Sequence, residues 1–206
     1  MSPEPPNPAS PRWLKQAAIA LAAVTAGTLA VGIALIIRPD PVRQPLALEA
    51  TPGWTEIAWP LSATPWWPSK AFVCNAATCG AEVTLYLRVK VGFCNCADGI
   101  ADDAELARIA DYADLSRLHE PVDEGRPIVL NGLKGRSRPY RMLLPGEARR
   151  SAGSVLIGLN SGCDAIVATG VRAQDGRAEL AAADAAVAAF LQREPIRQWT
   201  RRALGL

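Results

Sequence analysis

The sequence predicts an α+β protein: a single N-terminal transmembrane helix, then one antiparallel-sheet domain with two or three helices packed on it. Three observations carry this. Residues 16–37 form a run of 22 residues without a charge. Residues 83–91 alternate between apolar and polar side chains with period two, the pattern of a half-buried strand. Further along, paired apolar runs are separated by stretches with helical spacing, which favours helices laid on an antiparallel sheet.

Composition bounds the function. The chain has 206 residues, 50% hydrophobic and 20% charged, with a net charge of +2. That content supports a packed core and excludes a wholly disordered chain. The balanced charge gives no footprint for nucleic acid, and none is expected as a partner. Arginine outnumbers lysine 18 to 4 and alanine is abundant, a usage associated with GC-rich bacterial genomes.

Residues 1–11 are proline-rich and hold no apolar run, so they read as a disordered tail. Residues 12–38 read as the anchor. At 1.5 Å per residue its charge-free part is ~33 Å of helix, against a hydrocarbon core of about 30 Å. A cleavable signal has a shorter apolar region and a small-residue cleavage site, so an uncleaved signal anchor is expected. Arg12 and Lys15 precede the span and Arg38 and Arg43 follow it. Flanking charge therefore does not orient it. The cysteines do, placing the C-terminal domain in the periplasm, with the chain a single-pass protein of the bacterial inner membrane. Within the span Ala18, Ala22, Ala26, Ala30 and Ala34 recur every fourth residue. A small-residue face of this kind lets another membrane helix approach closely, although alanine is common throughout this chain.

Residues 39–52 carry Pro39, Pro41, Pro45 and Pro52 and form a linker of extended character. The domain then covers residues 53–206. Trp54, Trp59, Trp66 and Trp67 fall within 14 residues among Pro60, Pro65 and Pro68. Proline at this density excludes a long helix or a central strand. The segment is expected to be irregular and to drop its rings over the core. Its other use is an aromatic surface that grips a ligand, a partner or the membrane interface.

Residues 70–74 read as a short strand and 75–78 as a turn, followed by the alternating strand. Val83, Leu85, Leu87, Val89 and Val91 face the core in this reading, while Arg88 and Lys90 face solvent. A helix is expected from Asp102, with Glu105 three positions on as a capping box. Its buried stripe would be Leu106, Ile109, Ala113 and Leu118. Asp98, Asp102, Asp103 and Glu105 lack the spacing of a calcium loop and suit a first helical turn. His119, the one histidine, is expected at the end of this helix. Residues 128–131 and 140–144 read as strands joined by a basic loop containing Lys134, Arg136 and Arg138, with Arg141 beside it. These four are a solvated edge or a contact for phosphate or anionic lipid. Residues 154–159 and 165–171 read as a hairpin. Residues 178–192 form a helix with Leu180, Ala183, Val187, Phe190 and Leu191 inward. Residues 196–204 form a shorter one, which packs back on the domain or lies on the membrane.

The five cysteines are Cys74, Cys79, Cys94, Cys96 and Cys163, and spacing alone does not choose their pairing. Cys74 and Cys79 flank a four-residue turn and are the favoured bridge. Cys94 and Cys96 are too close to bridge each other comfortably, but either reaches Cys163. The alternative is Cu(I) held by the Cys94 and Cys96 thiolates, a soft ion on soft ligands. With one histidine and two methionines, the chain is a poor copper protein, and no cofactor is expected. No Ser–His–Asp set is recognisable. The sequence thus favours a non-enzymatic, disulfide-braced, membrane-anchored binding or assembly module over a thiol-based metal or redox protein.

Overall fold

The computed structural model describes residues 52–61, 67–93, 95–116, 118–144 and 151–206. The tail, the charge-free segment with its alanine face, the linker up to residue 51, Trp66 and Cys94 lie outside the described residues. Among the described residues no helix is long and apolar enough to cross a membrane.

The elements are β1 (Trp54–Ile57), β2 (Ser69–Cys74), α1 (Ala76–Cys79), β3 (Val83–Lys90), α2 (Asp103–Ile109), α3 (Tyr112–Leu115), β4 (Leu118–Pro121), β5 (Arg126–Leu130), β6 (Leu133–Leu143), β7 (Ser151–Ser161), β8 (Asp164–Arg172), α4 (Arg177–Leu191) and α5 (Glu194–Ala203). All strands join one antiparallel sheet in the order β1-β2-β3-β8-β7-β6. The far edge of β6 is shared: β5 pairs with residues 133–137 and β4 with residues 140–143. The α+β architecture is therefore present, with helices on both faces.

One face is packed by α4 and α5. Leu85 and Leu87 of β3, Val155 and Ile157 of β7, and Leu180, Val187 and Phe190 of α4 form this core. Each fully buried side chain of this size contributes roughly 1.5–3 kcal/mol. The opposite face is packed by Leu106, Ile109, Tyr112 and Leu115 against Tyr140, Met142, Leu156 and Val167. Because both faces are covered, the period-two pattern of β3 does not separate core from solvent. Arg88 and Lys90, expected to be solvent-facing, are each 4% exposed.

Four local expectations change. Trp54–Ile57 is an edge strand rather than irregular chain, paired through Trp54 and Cys74. The expected single helix from Asp102 breaks at Ala110, which is extended. Its stripe becomes Leu106, Ile109, Tyr112 and Leu115, while Ala113 and Leu118 are exposed. His119 lies in β4, not at a helix end. The basic loop does not exist: Lys134, Arg136, Arg138 and Arg141 sit along the 11-residue strand β6. The turn lies earlier, at Asn131-Gly132, where φ is 53° and 81°. Positive φ at both central positions is the two-residue hairpin geometry that Asn-Gly adopts readily. Pro139 is tolerated inside β6 because it falls between Ser137, where β5 ends, and Tyr140, where β4 begins.

Gly135 allows the close approach of β6 and β7, since a Cβ there would run into the Gly158 carbonyl oxygen. Backbone cannot move aside as a side chain can. Gly135→Ala is expected to destabilise the domain by about 1–3 kcal/mol. Urea denaturation checks this, and an unchanged midpoint would refute it.

Candidate functional site: two buried cations under tryptophan

The covered second face carries the most unusual chemistry of the domain. Arg88 and Lys90 are neighbours on the same face of β3 and converge on Asp111, in the break between α2 and α3. Arg88 Nη1 lies 3.0 Å from Asp111 Oδ1 and 3.5 Å from Asp114 Oδ2. Lys90 Nζ lies 2.8 Å from the same Asp111 oxygen. Burying cations is costly unless they are paired, and here one carboxylate, only 11% exposed, serves both.

Aromatic rings close the cluster. Trp59 stands over the Arg88 guanidinium at 4.8 Å and edge-on to Tyr86 at 6.0 Å. Lys90 Nζ is 5.2 Å from the centre of Phe93 and 5.8 Å from that of Trp67. Trp67 in turn meets Phe93 edge-on at 5.0 Å. Such cation–π contacts strengthen when water is excluded. Burial pushes the Tyr86 hydroxyl pKa up. Trp59 Nε1 is buried and has no hydrogen-bond partner among the described residues. Trp59 and Trp67 thus have one side fixed to the sheet and remain half-buried. Trp54 is different. It is 6% exposed and stacked on Phe190 at 4.4 Å, so it belongs to the core and offers no surface.

The four cations of β6 do not form a common site. Arg136 binds Asp103 at 2.8 Å and Arg138 binds it at 3.3 Å. Arg136 also donates to the carbonyls of Ala101 and Gly125, at 3.1 and 2.7 Å. Arg141 donates to Asp175 at 2.9 Å, beside Ser151 at 2.8 Å. These arginines fasten the loops on either side of the sheet. Lys134 alone of the four is exposed without a carboxylate at ion-pair distance among the described residues.

These contacts make a pH prediction. Burial tends to raise the Asp103 pKa, but the Gly125 amide, Arg136 and Arg138 outweigh it and hold it below its ordinary 3.8. Asp175 is lowered by Ser151 and then Arg141. Glu105 is lowered chiefly by Arg108. A depressed carboxylate pKa contributes stability above the unfolded value, and that contribution disappears as pH falls through the folded value. The melting temperature is therefore expected to drop on acidification below about pH 4. Asp103→Asn should flatten part of that slope, and identical slopes in both proteins would count against the assignment.

Two disulfides brace the domain. Cys74–Cys79 joins the end of β2 to α1, with a Cα separation of 6.2 Å. The short helix is capped by Asn75, whose side chain accepts from Thr78 N at 3.0 Å. Cys96–Cys163 joins the loop after β3 to the β7–β8 turn, with a Cα separation of 4.2 Å. Of the two candidates for Cys163, the structure pairs Cys96. Its sulfur is then bonded to sulfur rather than available as a copper-binding thiolate.

The remaining polar residues are tied into the framework. Glu105 does not complete the capping box. Asp102 accepts from Glu105 N at 2.8 Å, but the Glu105 carboxylate turns to Asn95 N at 3.1 Å and to Arg108. His119 stacks on Tyr112 at 4.3 Å, and Ser116 donates to the Leu143 carbonyl at 3.0 Å. Tyr112 lies 3.4 Å from the Ser154 hydroxyl, and burial raises its pKa. A cleft of about 210 Å³ between α4 and the sheet holds Ser137 bonded to Asp184 at 2.5 Å.

Sequence reasoning missed Asp111. No local signal marks it, because its partners lie 23 and 21 residues away in the chain.

No family model matches the chain, and no curated protein matches it. Among solved structures it is similar to a Pseudomonas aeruginosa protein of unknown function, at 14% identity over 68% of this chain and 81% of that chain, with a TM-score of 0.37.

Proposed function

We propose that the chain is a single-pass binding or assembly module of a bacterial inner membrane, with residues 12–38 as its anchor and residues 53–206 in the periplasm. The observation that carries this reading is the conjunction of a 22-residue charge-free segment with a domain crosslinked by two disulfides. Bridges persist in oxidising compartments, and the periplasm is one. The binding role is supported by Trp59 and Trp67, half-buried rings backed by Arg88 and Lys90. Aromatic anchors held in place lose little freedom when a partner covers them.

A C-terminal alkaline-phosphatase fusion tests the topology. Activity is expected, and an inactive fusion refutes the periplasmic placement. Thiol titration without reductant tests the bracing. If all five cysteines titrate freely and copper binds at one equivalent, thiolate chemistry at Cys94 and Cys96 replaces the binding-module reading.

A further inference from the structure

The last helix has two opposed faces. Ile196, Thr200 and Leu204 are buried, and Leu204 packs with Trp199 and Ala203 against Val89 and Ile166. The helix thus packs back on the domain. The opposite face carries Arg197, Gln198, Arg201 and Arg202, all exposed. Arg197 is paired with Glu194. Arg201 and Arg202 have no carboxylate at ion-pair distance among the described residues, in a domain whose other arginines are mostly paired. A cleft of about 370 Å³ opens beside them, where Arg197, Thr200 and Arg201 face the β5–β6 and β7–β8 turns at Asn131 and Ser161. At this end of the sheet Val91 is 56% and Leu206 is 53% exposed. Unpaired guanidiniums beside exposed apolar side chains suit a surface that is anionic outside and apolar within.

We propose that the outer face of α5 docks on an anionic phospholipid surface, with Arg197 and Arg201 seating a lipid phosphate in the cleft. Guanidinium matches phosphate geometry through paired donors. The proposal rests on the anchored reading above, which keeps the domain beside a bilayer. Chain length permits the contact. The β1 end that follows the linker lies at the opposite end of the sheet from α5, about 26 Å away along the eight residues of β3. The 14 residues from 39 to 52 reach at most about 50 Å.

The test uses the full chain reconstituted with vesicles of phosphatidylcholine alone or with a quarter phosphatidylglycerol. Phenylglyoxal labelling of arginines is read by mass spectrometry. Labelling of Arg197, Arg201 and Arg202 is expected to slow several-fold on the anionic vesicles, while Arg177, on α4 with its side chain 77% exposed, is unchanged. The protection should weaken in high salt. Read on Arg197, the reporter that remains, it should be lost in the R201Q/R202Q variant, whose melting temperature reports its folding, and be kept in R201K/R202K. Equal labelling on both vesicles overturns the proposal. Protection by inorganic phosphate on neutral vesicles, equal to that from the anionic lipid, also overturns it, in favour of a soluble anion.

Flotation with neutral vesicles reads the anchor separately. If the chain does not float with them, the anchored reading fails. Recruitment to anionic vesicles then decides α5: roughly fivefold weaker binding per arginine removed supports it, and no recruitment overturns it.

Discussion

Replacing Asp111 by asparagine is expected to destabilise the domain by about 3–5 kcal/mol, the usual range for removing one partner of a buried ion pair. The reason is the stoichiometry of the cluster. Arg88 and Lys90 are each 4% exposed and both bind one Asp111 oxygen. Without that carboxylate, Lys90 faces the rings of Trp67 and Phe93 with no other carboxylate at ion-pair distance among the described residues, while Arg88 retains, among its contacts, Trp59 and the longer one to Asp114. Two desolvated cations 2 residues apart would then also repel each other. Asp175→Asn is the control, because its partner Arg141 is 53% exposed, and exposed pairs contribute less than about 1 kcal/mol. Urea denaturation at neutral pH gives both values. Adding Lys90→Met to Asp111→Asn should recover part of the loss, since it removes a buried charge that has lost its counter-ion. A loss below about 1 kcal/mol for Asp111→Asn would show that water reaches the cations.

The second large effect concerns sulfur. Removing Cys96–Cys163 with a double serine variant is expected to cost about 4 kcal/mol, and removing Cys74–Cys79 about 2 kcal/mol. The sequence separations are 67 and 5 residues, and the chain entropy that a bridge withholds from the unfolded state grows with the logarithm of the loop. The longer bridge also ties the loop that carries Asn95 to the turn between the two central strands β7 and β8. For a domain of this size, about 4 kcal/mol lowers the melting temperature by roughly 10 °C. Calorimetry of the two double variants decides the matter. A larger drop for Cys74→Ser/Cys79→Ser would mean that native packing around α1, not loop closure, dominates.

Both effects bear on the proposed role. The Arg88–Lys90–Asp111 cluster mounts Trp59 and Trp67, and the Cys96–Cys163 bridge fixes the segment after Phe93 that completes the aromatic group. A binding surface built on these rings therefore depends on groups that never touch a partner. Asp111→Asn should loosen the tryptophans even where the domain remains folded. A red shift of their fluorescence would report it.

Much of the domain was legible in the sequence, because local pattern and tertiary environment agreed there. The strand at Val83 to Lys90 and the long helix through Leu180 and Phe190 present apolar residues at the period of their own geometry, and β7 and β8 are near-continuous apolar runs around a turn, as buried central strands are. Cys74 and Cys79 are close in sequence and flank a turn, so their pairing follows from short-range chain geometry alone. The charge-free run of residues 16–37, the prolines of residues 39–52 and the balance of charge are read from composition and run length alone, and the first two lie outside the described residues except for Pro52.

What the tertiary structure decided was wherever a distant group outweighed the local preference. Arg88 and Lys90 looked like a solvated face until α2 and α3 covered it, and the helix expected from Asp102 ended early, bringing Asp111 to those cations. Lys134 to Arg141 looked like a loop because basic residues, glycines and Pro139 seldom build a strand. Ten paired positions along β7 and counter-ions at Asp103 and Asp175 made it one. Cys163 had two candidate partners at nearly the same sequence distance, and only the three-dimensional approach of the loop after β3 to the β7–β8 turn selected Cys96. Periodicity records how much of a residue is covered on average, but not by what. A charge at a polar position of the pattern is therefore solvated or buried according to elements whose arrival no local stretch encodes.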